Sequence, residues 1–116
     1  MTVFGPWPAV VLDVHDGDTM TLVIDLGFDL TLKAHCRMKG INAPELNTTA
    51  GQDSRRFALT LAKPGDTVHT TSYGWDKYGG RYDGTVQLLD GRDFATVMLK
   101  AGMAVPFMVG ESQPTV

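Results

Sequence analysis

Residues 30–38 alternate without a break. Leu30, Leu32, Ala34, Cys36 and Met38 share one face, and Thr31, Lys33, His35 and Arg37 share the other. A period of two is what a strand needs when one side faces a core and the other faces water. It is the clearest pattern in the chain and commits its centre to β structure. The segments before it agree. Residues 9–14 form a β-branched apolar run, and Asp16-Gly17-Asp18 is a turn signal. Residues 19–24 then alternate Met20, Leu22 and Ile24 with Thr19, Thr21 and Val23, and Leu26-Gly27-Phe28-Asp29 turns the chain into the central strand. Three consecutive strands with short turns follow from this.

Pro44 and the polar stretch 47–51 then break the β pattern. Residues 52–63 place Phe57, Ala58, Leu61 and Ala62 on one helical stripe, stopped by Pro64-Gly65-Asp66. Residues 67–73 read as a fourth strand and residues 85–89 as a fifth, with a glycine-containing loop between them. Asp93 is placed to cap a short helix carrying Phe94, Val97, Met98 and Ala101, with Gly102 at its C-terminal end. The pattern predicts a mainly β, α+β fold. Its centre is a five-stranded OB-type barrel, with one helix between strands three and four and a short helix after strand five. A length of 116 residues suits one domain over 1–116, with its core at about 9–107.

The formal charge of -3 argues against nucleic acid only as an average. Residues 1–32 hold Asp13, Asp16, Asp18, Asp25 and Asp29 with no Lys or Arg. Residues 33–81 hold eight Lys or Arg against four acids. An acidic stretch followed by a basic one suits a cation site beside an anion site. No apolar run approaches the ~20 residues of a membrane span. Residues 1–14 lack the pattern of a secretory signal. Cys36 is the one cysteine, so no internal disulfide forms and a cytoplasmic setting is expected.

Three segments carry candidate chemistry. Asp16-Gly17-Asp18-Thr19 offers two carboxylates and a hydroxyl on one turn, ligands that hard cations prefer. A plain hairpin turn is the competing reading. Arg37 is followed by Gly40-Ile41-Asn42-Ala43-Pro44-Glu45, an arginine for a phosphate and a carboxylate for water. A surface Arg–Glu pair is the alternative there. Asp76-Lys77-Tyr78-Gly79-Gly80-Arg81 puts a second arginine on a loop whose glycines permit close approach to an anion.

In this order and spacing, the three segments resemble the staphylococcal nuclease-like (thermonuclease) family from about Val10 to Phe107. The resemblance implies an OB barrel and hydrolysis of DNA, with RNA as a second substrate, leaving 3′-phosphate and 5′-hydroxyl ends. It assigns Asp18, Asn42 and the backbone carbonyl of Ala43 to Ca²⁺, preferred over Mg²⁺, with Asp16 supporting from behind. Arg37 and Arg81 fall to the scissile phosphate and Glu45 to the attacking water. Lys77, Tyr78 and Phe107 fall to the neighbouring nucleotide.

Asn42 departs from the family's aspartate and removes one negative charge. Gly79-Gly80 is one glycine longer than the family loop, a step of ~3 Å along an extended chain unless the loop bulges. The family's long C-terminal helix has no counterpart. A binding-only OB module for single-stranded nucleic acid or a protein partner is therefore the alternative. A His15/His35/Cys36 metal site is disfavoured, because His35 and Cys36 point to opposite faces. The expected partner is single-stranded or frayed nucleic acid, not a membrane, and both monomer and dimer remain open. A phage or plasmid origin is compatible with the sequence.

Overall fold

The computed structural model describes residues 3–77 and 79–107. Its elements in order are β1 (Phe4–Asp16), β2 (Thr19–Gly27), β3 (Leu30–Met38), β4 (Ile41–Asn42), α1 (Thr49–Leu61), β5 (Thr67–Trp75), β6 (Arg81–Gln87), α2 (Phe94–Lys100) and β7 (Val105–Pro106). The fold is mixed α+β. β1, β2, β3, β6 and β5 close into a barrel in that order, and β4 pairs with β7 in a separate ribbon. The pairs are antiparallel except β3 with β6. No described helix is long and apolar enough to cross a membrane.

The inward faces supply the core. Val11, Val14, Met20, Leu22, Cys36, Met38, Val68 and Val86 are buried, and Ile41, Phe94 and Met98 close over one end. In β1 the buried positions step from Val11 to Val14, and register shifts fall at Val11/Asp13 and Val14/Asp16. Such bulges bend the strand and let one segment serve two neighbours. β1 is therefore far longer than the apolar run at 9–14. It starts before Pro6 and Pro8, and an irregular register between Phe4 and Trp7 accommodates Pro6.

Two other boundaries differ from the sequence reading. β6 begins at Arg81, four residues before the expected start. Tyr82, Gly84 and Val86 face inward while Arg81, Asp83 and Thr85 face outward, so a polar outer face and a glycine hid the alternation. Gly84 is required there, since a Cβ would lie 2.5 Å from the Thr71 carbonyl oxygen. Helix α1 starts at Thr49, with the Thr48 hydroxyl accepting the Gly51 N–H as N-cap. It buries Gly51, Ser54 and Ala58, whereas Phe57 and Leu61 are only partly covered. Small residues bring α1 close to the barrel, where Ser54 Oγ donates to the Met103 carbonyl at 2.8 Å and Arg55 Nε to the Val14 carbonyl at 3.0 Å. Asp93 caps α2 through the Thr96 N–H, and Gly102 follows it with a left-handed φ of 72°.

Burial pushes the Cys36 thiol up to about 12. The reactive thiolate is then almost absent near neutral pH. Native protein at pH 8 should leave a thiol-reactive chromophore unconsumed, and denaturant should release one equivalent. Rapid labelling of the native chain would show that the barrel interior is open.

Candidate active site

The barrel's register sets the site before any side chain is considered. Strand pairing aligns Asp16, Thr19, Arg37 and Asp83 in one row across four strands, and Asp13, Thr21, His35 and Arg81 in the next. The rows lie two residues apart along β2, β3 and β6, and three apart along β1 where a register shift intervenes, so they share the outer face. Arg37 and Arg81, 44 positions apart in sequence, become neighbours one row apart.

Asp18 sits at the end of the first row, in the β1–β2 turn. Its N–H donates to Asp16 Oδ1 at 3.0 Å, which fixes the turn. Gly17 packs so tightly that a Cβ would collide with Ser54 Oγ, tying the turn to α1. The Asp18 side chain is buried, and its oxygens are answered from three sides. Thr19 Oγ1 donates to Oδ1 at 2.9 Å, the Ala43 N–H donates to Oδ2 at 2.8 Å, and Arg37 Nη2 lies 3.6 Å from Oδ2.

Arg37 lies in a nest of acceptors. Nη1 donates to the Met38 and Ile41 carbonyls, both at 2.8 Å, and Nη2 donates to Asn42 Oδ1 at 3.2 Å. These use three of the five N–H donors of a guanidinium, Nη2 also faces the Asp18 carboxylate, and Nε–H is the donor that none of these contacts engages. The β4–β7 ribbon carries Phe107 alongside, with Arg37 Cζ 5.8 Å from the ring centroid. The Phe107 N–H donates to the Gly40 carbonyl at 2.9 Å, which holds the ring over the arginine.

Arg81 is more open, with 41% of its side chain exposed, and its Nε donates to Asp76 Oδ2 at 3.0 Å. Gly79 and Gly80 both take left-handed φ angles, and the Asp76 N–H donates to the Arg81 carbonyl at 2.8 Å. Arg81 lines a shallow groove of about 410 Å³ with Asp13, His15, Thr21, His35 and the two glycines. His35 Nδ1 and Thr21 Oγ1 share a hydrogen bond of 2.8 Å there.

Asp18, Arg37, Asn42, Ala43 and Phe107 thus converge, and Arg81 lies one row away. Glu45 is exposed beyond this cluster, on the loop before α1. Its backbone carbonyl accepts from the Thr48 N–H at 3.0 Å, anchoring the loop. Lys77 is exposed on the Arg81 loop. Tyr78 lies outside the described residues.

Asp83 was missed by sequence reasoning. It pairs laterally with Arg37, and its carboxyl is raised by burial and by Asp76, against the opposing pull of Arg37, Arg81 and Lys39. Its signal is its place two residues after Arg81 on the same face of β6, in a segment whose alternation Gly84 interrupts.

Asp18 and Asn42 each direct a side-chain oxygen at Arg37 Nη2. Side-chain oxygens are the ligands a hard cation takes, but here both already face the guanidinium. Only one of the two oxygens belongs to a carboxylate, and among the described residues no cluster of three or more His, Cys, Asp or Glu could hold a metal. Ala43 presents its N–H, not its carbonyl, to Asp18. No protein-family model matches the chain, and no curated protein matches it.

Burial, the side-chain hydrogen bond with Asp18 and repulsion from its charge push the Asp16 carboxyl up to about 6 from its ordinary 3.8. The folded state holds this proton more tightly than the unfolded chain. Its stabilising contribution is complete below 3.8 and is lost as pH rises through about 6. Asp16→Asn keeps the Oδ1 acceptor for Asp18 and removes the titration. In denaturant melts it should match wild type below about pH 4 and exceed it at neutral pH. An equal offset at all pH values would contradict this account.

Proposed function

We propose that the chain is a Ca²⁺-dependent phosphodiesterase acting on DNA, and on RNA as a second substrate, on an OB-type barrel. One observation carries the reading. The carboxylate, the amide and two arginines that the thermonuclease resemblance names are gathered on one barrel face, although they come from the β1–β2 turn, β3, β4 and β6.

The chain's own groups have distinct tasks. Arg37 offers its Nε–H and its positive charge to the phosphate oxygens, held in direction by the Met38 and Ile41 carbonyls. Arg81 exchanges Asp76 for the phosphate and stabilises charge on the departing 5′-oxygen. Glu45, exposed at the rim, accepts the proton of the attacking water. Phe107 supplies an apolar face for the neighbouring base. A Ca²⁺ held by Asp18 and Asn42 would add Lewis-acid stabilisation of the phosphoryl oxygens when bound.

Arg81→Ala and Glu45→Gln alter exposed side chains and should leave the fold intact. Each should lower cleavage of single-stranded DNA with Ca²⁺ by roughly 10²–10³-fold. Wild-type activity equal to that of Glu45→Gln would remove the enzyme reading. Asn42→Asp restores a second carboxylate, so calorimetric titration should show tighter Ca²⁺ binding. Unchanged affinity would exclude position 42 from the cation site.

A binding-only module is the second reading, and one observation favours it. Arg37 already spends three donors on protein acceptors and stands between the two oxygens proposed for the cation. Retained oligonucleotide binding without cleavage would select it.

A further inference from the structure

The β2–β3 ribbon outruns the barrel. β2 pairs with β3 as far as Gly27 and Leu30, whereas β6 joins β3 only from His35 and Arg81 onward. The outer edge of residues 30–34 has no strand partner among the described residues. Such an edge leaves a row of N–H and C=O groups open to another strand. Large apolar side chains are exposed on it and on the turn before it. Phe28 is 98% exposed, Leu30 60% and Leu32 40%. Lys33 is the only charge on the edge strand itself before residue 35, so little protects it from pairing.

We propose that a second copy of this chain covers this edge. The two β3 strands pair antiparallel across a two-fold axis at Thr31. In that register Leu30 meets the partner's Leu32, and the partner's Lys33 lies beyond the end of the ladder, beside the left-handed turn that carries Asp29 (φ 62°). Both juxtapositions occur twice by symmetry, as an isologous interface requires. Cross-strand apolar and opposite-charge pairs are the contacts that stabilise a sheet. An axis at Leu30 or at Leu32 moves the partner's Lys33 away from the turn that carries Asp29, so opposite charges come nearest in this register. Leu32 also lines an apolar hollow of about 210 Å³ with Phe4, Trp7, Leu26 and Trp75, which extends the greasy surface beside the seam. Thr31 lies six residues from Arg37, ~20 Å along a strand. The pairing therefore stands or falls independently of phosphodiester cleavage.

Light scattering should give wild-type protein twice the 12.6 kDa chain mass. Thr31→Lys places like charges on the axis and should give the single-chain mass, with an unchanged far-UV spectrum. A residue on the axis meets itself at a Cα separation of about 4.5–5.5 Å, which a disulfide spans. Cys36 is buried, so Thr31→Cys introduces the accessible thiol. That variant should crosslink in oxidised glutathione, and Lys33→Cys should not. A monomeric wild type at the highest soluble concentration would overturn the proposal. So would a dimer that crosslinks through Lys33→Cys, or one that survives Thr31→Lys, because another surface would then hold the copies together.

Discussion

A carboxylate withdrawn from water has to be met by donors, and Asp18 is where this chain meets that demand. Its oxygens take the Thr19 hydroxyl and the Ala43 N–H and face the Arg37 guanidinium, while its own carbonyl accepts the Met38 N–H at 2.7 Å. Those four contacts join the β1–β2 turn, the end of β3 and the loop before α1. Removing one partner of a buried ion pair typically costs about 3–5 kcal/mol, because the other charge is left uncompensated. Arg37 cannot move without disturbing that loop, and the loop also carries Glu45. The geometry of the whole cluster follows from one buried charge.

The barrel makes the cluster polar at no expense to the core. Closure leaves inward positions for Met20, Leu22, Cys36 and Val86, so each outward position in the two rows is free for Thr, His, Asp or Arg. The acidic first third and the basic middle of the sequence meet across β1, β2, β3 and β6. Arg37 lies between Thr19 and Asp83, and Arg81 is held by Asp76. Positive charge is thus local and partly neutralised by neighbours. Under the proposed reading such a face would meet a phosphate at one position and give little long-range attraction to a duplex, so the salt dependence of binding would be shallow.

The β3 alternation and the Asp-Gly-Asp turn were legible because a period of two and a glycine turn are local properties. The Gly17 requirement was not, since it arises from Ser54 on a distant helix. The start of β6 was hidden by its own use. Arg81 and Asp83 sit outward beside the site, and Gly84 replaces the apolar residue that would have marked the strand. The β4–β7 ribbon has only two residues on each side, too few for periodicity, yet it delivers Phe107 to Arg37. The arginines and Asp18 were found by motif. Their partners, Asp76 for Arg81 and the Met38 and Ile41 carbonyls for Arg37, required the register.

The central claim is that this face breaks a phosphodiester on the 5′-oxygen side. End-group analysis tests it most directly. A 5′-labelled single-stranded DNA is incubated with the wild-type protein and Ca²⁺, and the labelled products are treated with or without a 3′-phosphatase. The account predicts fragments whose mobility shifts on phosphatase treatment, revealing 3′-phosphate ends. Intact DNA, or fragments already ending in a 3′-hydroxyl, would contradict it.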